Sequence, residues 1–154
     1  MSGNIDARLK QLGIDLPDAP APAANYVPYV FAGDMLYVSG QISQFNGTLI
    51  VGRLGEDMAV EEGALAAKAC GISLLAQVRK ACHGDLEKVK RVVKLTGFVN
   101  STADFTDQPK VINGCSDLMV AVFDKLGPHA RSAVGVASLP MGVAVEIEAI
   151  FQIG

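Results

Sequence analysis

The sequence predicts an α+β fold, a mixed sheet carrying two helices packed on one of its faces. Three observations lead there: strand-type segments precede any long helical pattern, two amphipathic helical stretches interleave with later strands, and the C-terminal segment alternates in a two-residue period. The element order reads βββαβαββ.

Taken in order, Ile5, Leu9 and Leu12 recur at helical spacing before Gly13, which predicts a short N-terminal helix. Pro17 to Ala24 alternates proline with alanine and runs extended. Residues 1–24 therefore read as an N-terminal helix and Pro/Ala-rich arm, and 25–154 as the domain. Tyr29 to Ala32 and Met35 to Ser39 flank Gly33-Asp34, a two-residue turn with glycine first, as a type II′ hairpin prefers. A third strand is expected around Thr48 to Gly52, after the Asn46-Gly47 turn signal. Between Val60 and Cys82, Leu65, Ala69, Ile72, Leu75, Val78 and Cys82 mark the apolar face of a long helix. Arg91 to Asn100 follows as a strand, and Asp104, Asp107 and Pro109 open a second helix that Gly127-Pro128 stops. Ser132 to Leu139 and Val143 to Ile153 are the last strands, read as a hairpin through Pro140-Met141-Gly142. In the final strand Val143, Val145, Ile147, Ala149, Phe151 and Ile153 face one way, with Glu146 and Glu148 on the other face. SAVGVASL is small or apolar on both faces. With helices available for only one side of the sheet, a second subunit is expected to close over the other.

Composition bounds the function. At 154 residues and 50% hydrophobic, the chain is long enough to bury roughly 70% of its unfolded surface, which excludes disorder and fibre. Its charged fraction of 19% leaves little polar surface for a solitary globule and again predicts an oligomer. A net charge of −3 has the wrong sign for a polyanion-binding chain, so nucleic acid is an unlikely ligand. No apolar run reaches membrane-spanning length and the N-terminus has no signal-peptide core, so a cytoplasmic protein is expected. Cys70, Cys82 and Cys115 match no zinc or redox spacing and read as reduced thiols.

Chemistry concentrates in residues 129–150, HARSAVGVASLPMGVAVEIEAI. Arg131 stands at a strand entry with almost no other charge nearby, and Glu146 lies on a face otherwise small or apolar. Two readings stay open. Arg131 can pair with Glu146 or Glu148 to fix a hairpin or subunit contact. Alternatively, its planar fork holds a small carboxylate while Glu146 orients a water.

The strings YVSGQI (37–42), FVNSTADF (98–105), ARSAVGVASLP (130–140) and VEIEAI (145–150), in that order, resemble the RidA/YjgF family. The resemblance spans roughly residue 26 to the end. It implies a chorismate-mutase-like fold, a homotrimer with clefts between subunits, and hydrolysis of reactive 2-imino or 2-enamino acids released by pyridoxal-phosphate enzymes, without metal or cofactor. Carried over by position, Arg131 is the carboxylate-binding arginine, Glu146 the water-positioning glutamate, Ser39 a cleft residue, Asn113 the asparagine of the second helix, and Tyr26 the tyrosine, with Tyr29 competing for that role. Ala133 replaces a cysteine common in the family, and the segment AANYVPYVFAG lacks the family's Gly-Pro. A non-enzymatic, regulatory binding module for small carboxylate metabolites is the alternative, and an endoribonuclease or translation inhibitor fits the charge least well.

Other residues read structurally. His83 and His129, beside glycine-rich turns, take surface or capping roles, and Cys115 is a small core residue. Asp104 and Asp107 cap the second helix, and Lys88, Lys90, Arg91 and Lys94 form a solvated face.

Overall fold

The computed structural model describes residues 4–21 and 25–154. Residues 22–24, at the end of the expected Pro/Ala arm, lie outside the described residues, as do 1–3. The order is α1 (Asn4–Gln11), β1 (Tyr29–Ala32), β2 (Met35–Ile42), β3 (Gln44–Phe45), β4 (Thr48–Leu49), α2 (Val60–Ala81), β5 (Val89–Asn100), α3 (Gln108–Phe123), β6 (Ala130–Val136) and β7 (Val145–Ile153). The main sheet has strand order β1-β2-β7-β5-β6. The α+β expectation holds, with both long helices on one face.

Local chemistry accounts for the elements. Gly33 takes φ +61 and lets Ala32 pair directly with Met35, as the glycine-first turn predicts. The third strand is shorter than expected: Thr48–Leu49 pairs only with Gln44–Phe45 across Asn46-Gly47, in a separate two-stranded sheet. Helix α2 opens with Glu62 Oε1 accepting the Ala59 N–H at 3.0 Å, carries Glu61 and Glu62 in its first turn, and ends with Arg79 and Lys80, each charge opposing the adjacent helix pole. It buries Ala66, Ala67, Cys70, Leu74, Leu75 and Val78. Leu65, expected on that face, is 66% exposed because it lies one helical step outside the stripe. Asp107 occupies the N-cap of α3, yet its side chain caps nothing. Its φ/ψ of −94/26 is not the extended conformation that aims a carboxylate at the first helical N–H groups.

The last two strands do not form a hairpin. β6 pairs parallel with β5, from Lys94–Ala130 to Asn100–Val136, and β7 lies on the other side of β5, antiparallel. The reason is topological: β5, α3 and β6 make a strand-helix-strand crossover, which requires parallel neighbours. β6 is consequently an edge strand within the chain, and several of its residues are exposed.

The core fills the space between the helices and one sheet face, where Leu36, Val92, Leu95, Val99, Val145, Ile147, Ala149 and Phe151 meet α2 and α3. Gly114 lets the two helices approach: a Cβ there would stand 2.7 Å from the Ala64 carbonyl carbon. Segment 4–21 joins the same core. Ile5, Leu9 and Leu16 are buried in it, Glu87 accepts the Ile5 N–H at 2.6 Å, and Arg79 Nη2 holds the Leu16 and Pro17 carbonyls at 3.2 Å each. The opposite sheet face carries Val30, Tyr37, Ile150, Glu148, Glu146, Phe98 and Val134, and among the described residues no element packs across it as the helices pack across the other.

Candidate functional site

Register decides where the two charged candidates point. Arg131 pairs with Leu95, which is buried under the helices, so Arg131 points to the helix side of β6. Its Nη1 donates to Asn113 Oδ1 at 2.8 Å and to Ser116 Oγ at 3.2 Å, both on α3. Those two acceptors use both Nη1 protons and leave the Nε/Nη2 edge, the pair of parallel N–H groups that grips a carboxylate.

Glu146 lies on the other face. It pairs with Phe98 and Ile42, while its neighbours Val145 and Ile147 are buried against the helices. Between Val38–Ala149 and Gln41–Ile147 the register shifts, so Ser39 and Gly40 together oppose Glu148 in a β-bulge. The bulge sets Gly40 against Glu146: a Cβ on Gly40 would lie 3.0 Å from Glu146 Cδ and closer still to Oε2. Glycine is what leaves room for the carboxylate. Burial pushes the pKa of Glu146 above its ordinary value of 4.5, and Glu148 adds to the rise. The Arg131 guanidinium lies across the sheet and does not offset this rise.

The remaining candidates divide between these two places. Ser39 sits in the bulge, donates from Oγ to the Val27 carbonyl at 2.8 Å and from N to the Pro28 carbonyl at 2.9 Å, and so pins the segment that follows Tyr26. Tyr26 is exposed, whereas Tyr29 pairs with Val38 and packs against the core on the helix side. Asn113 stands with Arg131. One group comprises Arg131 and Asn113, the other Glu146, Ser39 and Gly40, and a sheet separates them. The Arg131–Glu146 or Arg131–Glu148 ion pair does not form within the chain; among the described residues the ion pair found is Lys110–Asp107 at 3.8 Å.

The sequence pattern does not single out Ser116 and gives His129 only a surface or capping role, whereas the structure brings both to Arg131. His129 Nε2 is 2.9 Å from Ser116 Oγ and its Nδ1 is 2.7 Å from the Gly127 carbonyl, so the histidine stands directly behind the hydroxyl that meets Arg131. The i, i+3 spacing of Asn113 and Ser116 on one helix face was the available signal. His83 takes the expected capping place, at φ +54 in the turn that ends α2. Cys115 is fully buried beside Arg131, and burial pushes its thiol up to about 12, which makes it an inert core residue. Among the described residues no three His, Cys, Asp or Glu side chains converge to hold a metal ion, and no helix is long and apolar enough to cross a membrane. A groove of about 960 Å³ runs between segment 12–20, the β3–β4 hairpin and α2, lined by Leu12, Phe45, Leu65 and Ile72, and contains none of the candidates.

Comparison with known proteins places this geometry. Residues 6–149 match the family described as "YjgF/chorismate mutase-like, putative endoribonuclease". Protein TCP17 of Trypanosoma cruzi is 51% identical over 154 residues, covering 99% of this chain and 96% of the relative. The crystal structure of Atu1372 from Agrobacterium tumefaciens, a protein of unknown function, superposes with a TM-score of 0.92 at 47% identity, over 99% of this chain and 96% of that one. A 2-iminobutanoate/2-iminopropanoate deaminase of Salmonella typhimurium is 32% identical over 133 residues, 86% of this chain and 91% of the relative. The chain belongs to the YjgF family.

Proposed function

We propose that this chain hydrolyses 2-imino or 2-enamino acids to 2-oxo acids and ammonia, in a cleft built between two copies of a homotrimer. The observation that carries the reading is the division of the candidate residues: a carboxylate-gripping arginine on one sheet face, and a half-buried glutamate with room made for it on the other. Two such half-sites in one chain are complementary only across copies. The apolar residues left uncovered on the Glu146 face, Val30, Tyr37, Ile150 and Val134, supply the surface for assembly.

The chemistry asks little of the protein. An imine carbon is already electrophilic, so it suffices to hold the substrate carboxylate, exclude bulk solvent and place one water about 3 Å from that carbon. The Nε/Nη2 edge of Arg131 grips the carboxylate. Glu146 takes a proton from the water as its oxygen bonds to the iminium carbon and the C=N π pair moves to nitrogen; it returns that proton to nitrogen, the carbinol oxygen expels ammonia as the carbonyl forms, and the remaining hydroxyl proton passes to solvent. A carboxyl whose pKa is raised toward neutrality suits both transfers. A 2-enamino acid enters by taking a proton from solvent at its β-carbon, which gives the same iminium. The relatives that carry the deaminase name support the reaction class, and the link to pyridoxal-phosphate enzymes follows from it, since such enzymes release these acids.

The test is ammonia release from 2-iminopropanoate generated in place by an amino-acid oxidase. Acceleration by the wild type and its loss in both Arg131→Ala and Glu146→Gln are expected. Binding of 2-oxo acids by the wild type with no acceleration would instead make the protein a carboxylate-binding module.

A further inference from the structure

We propose that Ser116 and His129 are positioning residues for Arg131, which they hold with its Nε/Nη2 edge turned to the ligand. The inference rests on the reading of Arg131 as the carboxylate site and adds what sets its specificity.

The Gly127 carbonyl can only accept, so the 2.7 Å contact makes His129 Nδ1 the protonated nitrogen. In the neutral ring Nε2 is then an acceptor, and at 2.9 Å it takes the hydroxyl proton of Ser116. Both lone pairs of Ser116 Oγ are thereby presented to its other side, where Arg131 Nη1 donates at 3.2 Å. One donor direction runs from Arg131 through Ser116 and His129 to Gly127.

The far end of the relay is anchored. A Cβ on Gly127 would stand 2.6 Å from Val120 Cα and 2.7 Å from the Met119 carbonyl, so residue 127 lies directly on the α3 backbone. Arg91 grips the Pro128 carbonyl with Nε at 3.1 Å and Nη2 at 2.8 Å. His129 is therefore held by the corner that carries it.

The consequence concerns Asn113. Its Oδ1 accepts from the same Nη1 at 2.8 Å, so Asn113 and Ser116 together fix one nitrogen of the guanidinium. Without His129 the serine hydroxyl proton has no fixed acceptor and is free to turn toward Arg131, where it opposes the Nη1 N–H instead of leaving a lone pair for it. The guanidinium then loses one of two fixed partners, rotates, and no longer offers a parallel fork. A locked fork selects planar, singly charged carboxylates over neutral isosteres.

The assembled protein is titrated calorimetrically with 2-oxobutanoate and with its neutral analogue 2-oxobutanamide. Ser116→Ala and His129→Ala are each expected to weaken binding of the acid about tenfold, the effect of one hydrogen bond, and to leave the amide unchanged. In turnover KM rises by the same factor while kcat holds. His129→Gln, whose Oε1 can accept the serine proton, restores near wild-type affinity, a rescue that a packing role would not give. Wild-type affinity for the acid in Ser116→Ala and His129→Ala, with binding lost in Arg131→Ala, overturns the relay and spares the proposed function. A wild type that binds acid and amide equally overturns both.

Discussion

If the two half-sites meet only across copies, two inactive variants should restore each other. Arg131 pairs with Leu95 and Glu146 with Phe98, so they stand two strands apart and three residues out of register. That puts their Cα atoms on the order of 14 Å apart before their side chains diverge from opposite faces. No rotamer closes such a gap within one chain. In a cyclic assembly each cleft takes its arginine from one copy and its glutamate from the next. When Arg131→Ala and Glu146→Gln subunits mix randomly in equal amounts, half the copies bring an arginine and half a carboxylate, so about a quarter of the clefts are complete. The assay is ammonia release after the two variants are unfolded and refolded together, with subunit exchange verified by native mass spectrometry. Recovery of about a quarter of wild-type activity is expected, against none for either variant alone. Neither substitution threatens the fold, because Arg131 and Glu146 are both only partly buried. Mixed trimers that stay inactive would refute the shared cleft.

Four further outcomes follow from the packing and the charges. Gly114→Ala drives a methyl to 2.7 Å from the Ala64 carbonyl carbon, where backbone cannot yield; a loss of about 1–3 kcal/mol or more in urea denaturation is expected, and an unchanged midpoint would contradict the close helix contact. Leu9→Ala should cost about 2–4 kcal/mol, since Leu9 is only 5% exposed in the common core; a cost typical of a surface site would mean that α1 does not dock. Folding raises the pKa of Glu146, so the native chain keeps its proton longer than the unfolded one and stability falls as pH climbs from 4.5 through the raised value. Glu146→Gln should flatten that stretch of the pH–stability curve, and Glu148→Gln should move the Glu146 carboxyl titration, followed by carbon NMR, to lower pH.

Much of the fold is legible because periodicity reports burial directly. The alternation in β7, the Gly33-Asp34 turn and the extent of α2 all follow from which residues must leave water, and the structure agrees on each. The order of strands is another matter. SAVGVASLPMGVAVEIEAI reads locally as two strands and a turn, and local preference favours a hairpin. What overrides it is the preceding helix: a crossover places β6 parallel beside β5, and β7 must then take the opposite side of β5 to keep its apolar face under the helices. Leu65 fails for a similar reason, since helical spacing gives a stripe but not its angular limits.

The site residues are legible as residue types and not as a site. An arginine and a glutamate on otherwise apolar strands announce that each needs a partner. Their separation in sequence says nothing of the face each takes, because an odd number of residues, a bulge or an intervening strand reverses the outcome. Here β5 intervenes, and the supposed ion pair becomes two groups with their backs to one sheet. Each group keeps the mark of its isolation. Glu146 carries a raised pKa with no cation to lower it, and Arg131 is satisfied by neutral acceptors on a single nitrogen, with its better binding edge unused. A salt bridge within the chain would neutralise both; under the proposed function, the division by the sheet instead keeps the arginine's fork for a ligand's carboxylate and the glutamate's carboxylate for its water.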